Sequence, residues 1–181
     1  QSIKLHTDAA QCLGYLPNIE FDAIGNMITL SSHKIYGPKG VGLLIIDEDI
    51  DINPLVLGGG QEFGYRAGTI PLPLIIGFTK AIELAIINQK NNEIYLRNHR
   101  DNLLSGLLKN NPDLIINGSL INRLPHNLNI TFPNVSGSLL HKQLKPKLVC
   151  SSGSACSNGI PSHVLLSIGR SFKEAEASLR L

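Results

Sequence analysis

An α/β fold in two units is predicted for this chain of 181 residues, and three observations carry the prediction. Short apolar runs bounded by turn residues, "IKLHTDAAQ", "NMITLSS" and "GVGLLIID", read as buried strands of a sheet. From Pro71 to about Asn111 the period changes: Ile75, Phe78, Ile82 and Ile86, then Leu103, Leu104, Leu107 and Leu108, recur at helical spacing. Further on, "DLIING", "NLNITFP", "LVCSS" and "SLRL" alternate with helical "SGSLLHKQL" and "PSHVLLSIG", the pattern of a second, smaller α/β unit. The helical stretch is too long for one ordinary helix. Its polar middle, "NQKNNE", is therefore expected to be a kink or a connecting turn, dividing a first domain, residues 1–90, from a second, residues 91–181.

Composition excludes several classes. With 43% hydrophobic and 17% charged residues the chain has enough apolar side chains for its own cores and is not disordered. Sixteen Lys and Arg against fourteen Asp and Glu are spread without basic blocks, so no nucleic-acid surface is expected. No apolar run is read as long enough to span a membrane, and no membrane partner is expected. The start, "QSIKLHTDAA", has neither an initiator Met nor a signal-peptide pattern, and the end, "SLRL", breaks off where a strand begins. Both ends are expected to lie inside a longer protein. Three cysteines, an odd number without secretory features, point to a reducing, cytoplasmic setting in which a cysteine matters through its thiolate. No metal site is read.

The chemistry gathers where "NMITL" ends in "SSHKIYGPKG". Lys34 could be a solvated surface lysine, a phosphate clamp, or an amine forming a Schiff base with a carbonyl cofactor. A P-loop fits poorly, because the glycines lead to Lys39 and Gly40 and then to a strand rather than to Ser or Thr opening a helix. In open α/β sheets ligands sit at strand ends, and two runs finish in capable groups: Asp8 after "IKLHT", and Ser31, His33 and Lys34 after "NMITL". A carboxylate and a lysine are the pair that a pyridoxal phosphate enzyme needs, one to keep the pyridine nitrogen protonated and one to form the imine. Asp8 could equally be the N-cap of a helix over "AAQCLG", and Gln11 alone would be a solvated residue.

In order along the chain, "HTDAAQ", "SSHKIYGPKG", "LGGGQEFGYRAGT" and "SSGSACS" resemble the motifs of the cysteine desulfurases, fold-type I pyridoxal phosphate enzymes related to the class V aminotransferases. The resemblance implies the C-terminal part of a cofactor-binding large domain of the aspartate aminotransferase type, followed by a small domain with the catalytic-cysteine loop. It implies that pyridoxal 5'-phosphate is held by Lys34 through an imine, by Asp8 at the pyridine nitrogen, by Gln11 at the phenolic oxygen, and by Ser31 and His33 at the phosphate. Thr69, in "RAGT", would reach the phosphate bound by the neighbouring subunit of a homodimer. Arg180, in "SLRL", would bind the carboxylate of L-cysteine through its guanidinium fork.

Cys12 and Cys150 sit beside apolar segments and read as buried small hydrophobes. Cys156 lies among small residues with no apolar period, and the resemblance makes it the nucleophile that takes the sulfur as a persulfide and passes it to an acceptor protein, an iron–sulfur scaffold or a tRNA-thiolation relay. The stretch "SNGI" between it and "PSHVL" is shorter than the commonest family pattern. His163 could be a loop base, although a surface helix histidine is the plainer reading. Family members carry an additional N-terminal half with a ring-stacking histidine and a phosphate-binding helix start, so the isolated stretch is expected to be inactive. Two other classes stay open: an aminotransferase or selenocysteine lyase on the same fold, and a sulfur carrier without cofactor.

Overall fold

The computed structural model describes residues 3–17, 21–151 and 161–181. The chain divides into two compact units, Gln1–Glu93 and Ile94–Leu181.

In the first unit β1 (His6–Asp8), β2 (Met27–Ser31) and β3 (Gly42–Ile46) form a sheet in that order. β1 and β2 are parallel, pairing His6 with Met27 and Asp8 with Thr29. β3 returns antiparallel to β2 and sets Gly42 opposite Ser31. A parallel pair needs a crossover, and this one includes the single-turn helix α1 (Phe21–Ile24). The alternation of β2 buries Ile28 and Leu30. β3 departs from the expected buried strand: Leu43 and Leu44 are exposed, because β3 is an edge strand of its sheet. The core gathers Ala9, Leu13, Ile28, Leu30, Ile35, Phe78 and Ala81. Gly14, at φ +82°, lets the turn after β1 approach closely: a Cβ there would lie 3.0 Å from that of Ala85.

Phe78, Ala81 and Ala85 belong to α2 (Leu72–Asn110), a single helix of 39 residues. Pro71 and Pro73 suit its start, where backbone N–H groups have no helical partner. The break expected at "NQKNNE" does not occur. The run holds neither Pro nor Gly, and its side chains are compatible with a helix: Asn88 donates to the Leu84 carbonyl one turn back (2.8 Å), and Asn92 donates to the Gly14 carbonyl (3.4 Å). The unit boundary at Glu93 thus falls inside a helix. By length and composition α2 is also long and apolar enough to cross a membrane, against the sequence expectation. That expectation considered uninterrupted runs, whereas α2 intersperses Lys80 and Glu83, ion-paired at 2.8 Å, among apolar residues. In its first half Phe78 and Ala81 pack into the core of the first unit, and in its second half Leu104 packs into that of the second.

In the second unit β4 (Ile115–Ile116), β5 (Asn129–Thr131) and β6 (Ser178–Arg180) form an antiparallel sheet in that order. Its core is Leu104, Leu114, Leu128 and Ile130, with Phe132 and Leu181 packed against it. "LVCSS" contributes only an isolated bridge from Ser151 to Arg180 rather than a strand. Three short helices follow the two "helical" runs and add one: α3 (Gly137–Leu144), α4 (His163–Ser167) and α5 (Phe172–Glu176). α5, not anticipated from apolar periodicity, is started by a capping box in which Ser171 and Glu174 exchange hydrogen bonds. Gly137 opens α3 against the end of α5, where a Cβ would collide with the Glu176 carbonyl oxygen.

Candidate active site

The parallel pairing of β1 and β2 brings their carboxyl ends side by side, and this is where the candidate residues of the first unit lie. Asp8 closes β1. Its Oδ1 accepts from the Ala10 N–H at 3.0 Å, which bends the chain out of the strand. Residues 10–15 form successive turns and no helix, so Asp8 caps a turn rather than the helix anticipated over "AAQCLG". Gln11, in these turns, is exposed.

β2 ends at Ser31 and passes directly into a 3-10 turn over Ser32–Ile35. Ser32 and Ile35 are buried there, which leaves His33 and Lys34 pointing out of the core and exposed. The Ser31 hydroxyl and His33 Nδ1 are 3.0 Å apart, a hydrogen-bonded pair. The turn closes with Gly37 N–H donating to the Ser32 carbonyl at 3.0 Å, and a Cβ on Gly37 would collide with the Ser32 hydroxyl. Sequence reasoning missed His6: its Nε2 lies 2.8 Å from Thr29 Oγ1, across the same parallel pair. The signal was present, since His6 and Asp8 stand two residues apart on one strand and share a face.

Cys12 packs against the first core, and burial together with the Asp8 charge pushes its thiol above the ordinary range, away from the reactive thiolate. Tyr15 is pushed up to about 12 by burial and by a hydrogen bond with Tyr36. Both tyrosines line a largely apolar cavity of about 290 Å³ that contains none of Asp8, Ser31, His33 or Lys34. Thr69 is exposed and follows a loop in which the Gly68 N–H donates to Gln61 Oε1 at 3.2 Å, with Ala67 buried as its anchor. Around that loop Leu55 and Phe63 are 99% and 98% exposed.

Arg180 ends β6 in the second unit and is exposed, at the edge of a cavity of about 370 Å³ lined also by Asn117, Asn129, Ser162 and Ser178. Among the described residues no carboxylate pairs with its guanidinium. His163 begins α4 on the surface. Cys150 is half-buried. Cys156 lies outside the described residues.

Strand-end carboxylate, hydroxyl–imidazole pair and primary amine are donor types that α/β enzymes use to bind a phosphorylated carbonyl cofactor. The sequence pattern of the aminotransferase class-V family matches residues 1–180, and the chain belongs to that family. It is 43% identical over 183 residues to the cysteine desulfurase IscS of Dictyoglomus turgidum, a match covering 98% of this chain and 46% of that protein. Among solved structures, a NifS-like protein from Rickettsia africae superposes with a TM-score of 0.84 at 34% identity, covering 98% of this chain and 47% of the other. A structure described as SspA in complex with cysteine superposes with a TM-score of 0.71 at 32% identity, covering 98% of this chain and 49% of the other. The chain thus spans about half the length of the relatives it matches. The family depends on pyridoxal phosphate, and the donor set at the β1 and β2 ends fits that group: a carboxylate for the ring nitrogen, hydroxyl and imidazole for the phosphate, an amine for the aldehyde.

Proposed function

We propose that the protein carrying this chain is a pyridoxal phosphate-dependent cysteine desulfurase that converts L-cysteine to L-alanine and stores the sulfur as a persulfide on Cys156. The observation that carries the reading is the juxtaposition of Asp8 with Ser31, His33 and Lys34 at the ends of one parallel strand pair. Residues 1–90 are assigned to the cofactor-binding domain and residues 91–181 to the small domain with the cysteine loop.

When bound, the cofactor supplies an electron sink that stabilises negative charge at the substrate Cα. The side chains do the rest. Asp8 would keep the pyridine nitrogen protonated, Gln11 would hydrogen-bond the phenolic oxygen, and Ser31 with His33 would bind the phosphate. Lys34 would hold the cofactor through its aldehyde carbon and, as a free amine, would move the Cα proton. Arg180 holds the substrate carboxylate with two parallel hydrogen bonds, as an exposed guanidinium that pairs with no carboxylate among the described residues permits. The Cys156 thiolate attacks the substrate sulfur; the S–S bond forms as the substrate C–S bond breaks, and a proton added to the substrate carbon completes alanine. Thiol plus cysteine thus gives persulfide plus alanine. An acceptor protein, an iron–sulfur scaffold or a tRNA-thiolation relay, then takes the sulfur. Thr69 serves the partner subunit's phosphate in a homodimer, and the exposed Leu55 and Phe63 near its loop are suited to being covered by that partner. The reducing setting that three cysteines suggest is the cytoplasm.

The test uses the complete protein. Lys34→Ala should lose the visible band of the bound cofactor. Cys156→Ser should keep it and still respond to cysteine, yet form no persulfide and release essentially no alanine, because a hydroxyl is too weakly acidic to replace the thiolate. Wild-type alanine release by Cys156→Ser would move the protein to the aminotransferase or lyase class. A band that survives in Lys34→Ala would remove the lysine from its role, and the absence of any band in the wild type would leave a sulfur carrier.

A further inference from the structure

Beneath the cavity edged by Arg180 runs a chain of buried polar groups that the reaction itself does not use. Asn117, which follows β4, is 4% exposed; Thr131 on β5 and Ser178 on β6 are 0% and 2% exposed. Asn117 Nδ2 donates to Asn129 Oδ1 at 2.7 Å and to Thr131 Oγ1 at 2.8 Å. The Thr131 and Ser178 hydroxyls are 2.7 Å apart, and Ser178 donates on to the Glu174 carbonyl at 2.7 Å. Such groups are costly to bury unless each finds its partner, and here each does.

The register gives these contacts a direction. Across β5 and β6, Asn129 stands opposite Arg180 and Thr131 opposite Ser178. One amide, that of Asn117, therefore grips both residues that face the β6 positions 178 and 180. Strand alternation puts Ser178 and Arg180 on one face of β6, and both line the same cavity. An asparagine amide could turn over and exchange its oxygen and nitrogen. Arg170 prevents this: its Nε donates to Asn117 Oδ1 at 2.7 Å, and its Nη2 reaches the Ile116 carbonyl at 3.4 Å. With the oxygen committed to Arg170, the NH2 can face only Asn129 and Thr131.

We propose that Arg170 and Asn117 are positioning residues for Arg180: Arg170 fixes the orientation of the Asn117 amide, which holds the β5–β6 pair in the register from which Arg180 presents its guanidinium to the substrate carboxylate. The last step rests on the proposed role of Arg180. The hold on β6 does not. A bidentate clamp depends on the guanidinium plane being set before the ligand arrives, so looseness in β6 weakens ground-state binding more than it slows the chemistry.

The experiment compares wild type, Arg170→Ala, Arg170→Lys and Arg180→Lys in the complete holoenzyme. Arg170 is half-buried, so its loss is compatible with folding. Hydrogen exchange is read at the amides of Arg180 and Leu181, which donate to the Ser151 and Leu128 carbonyls at 2.8 and 2.9 Å. In Arg170→Ala these amides should exchange about tenfold faster, with α2 unchanged, and the KM for cysteine should rise about three- to tenfold while kcat stays within about twofold. Arg170→Lys, which restores one donor to Asn117, should return both readouts most of the way. Unchanged exchange at Arg180 in Arg170→Ala overturns the proposal. So does faster exchange without a KM effect, if Arg180→Lys itself raises KM. Faster exchange with KM unmoved in both Arg170→Ala and Arg180→Lys supports the hold on β6 and instead removes Arg180 from carboxylate binding.

Discussion

His126 is half-buried in the second unit, and burial holds its imidazole below the ordinary value of 6.5. Between the folded value and 6.5 the unfolded chain binds a proton that the folded chain refuses, so stability rises with pH across that window. Acidification from neutrality should therefore destabilise the protein as the pH falls through about 6.5, and the loss should level off below the folded value. Glu174 and Asp49 act lower: hydrogen bonds from Ser171 and from Lys4 hold their carboxyls below 4.5 and 3.8, so their contributions are lost only in stronger acid. Urea midpoints at pH 7.5 and 5.5 should thus differ in the wild type and differ less in His126→Gln; an equal slope in both would remove His126 as the cause. At this scale the candidate residues of the first unit could be read from the sequence, because Asp8 and "SSHK" are contiguous with the strands that carry them. The hold on Arg180 was not. Arg170 and Asn117 are 53 residues apart, and nothing in "DLIING" points to that partner until β4, β5 and β6 assemble around it.

Elements were legible where a periodic pattern ran without interruption and were misread where local polarity was taken for a break in the helix. "NQKNNE" is polar throughout, yet Asn and Gln are tolerated on a solvated helix face, and only Pro or Gly would have given a physical reason to break α2. α5 was missed for the opposite reason: with five residues it is too short for a period to register, and its signal was the cap. Ser171 Oγ accepts from Glu174 N–H at 3.3 Å, and Glu174 Oε2 accepts from Ser171 N–H at 2.8 Å. So short a helix depends on its cap and on its packing, since nucleation by itself is unfavourable. Ser171→Ala should cost about 1 kcal/mol of stability, read as a lower urea midpoint at unchanged slope, and Ser171→Asp should recover most of it. A wild-type midpoint in Ser171→Ala would mean that α5 is held by its packing alone, through buried Ala175 and the close approach of Gly137 to Glu176.

At the scale of the molecule, the residues proposed for cofactor binding belong to the first unit, and Arg180, proposed for the substrate carboxylate, belongs to the second. Thr69 is proposed to act on another copy of the chain. If Thr69 binds the phosphate held by the partner, cofactor binding and dimerisation are linked, and each must strengthen the other by the same factor. Three consequences can be measured on the complete protein. At concentrations well above the dimer dissociation constant, Thr69→Ala should hold the cofactor about tenfold more weakly than the wild type, the cost of one hydrogen bond to a charged group. On dilution to monomers the two should converge, because neither then has the contact. Removal of both cofactors should loosen the wild-type dimer by about the square of that factor, roughly a hundredfold because a symmetric dimer has two such contacts, and leave the Thr69→Ala dimer nearly unaffected, as sedimentation with and without cofactor would record. A defect in Thr69→Ala that persists undiminished in the monomer would place Thr69 on its own subunit's phosphate and remove the reason for tying this site to a dimer.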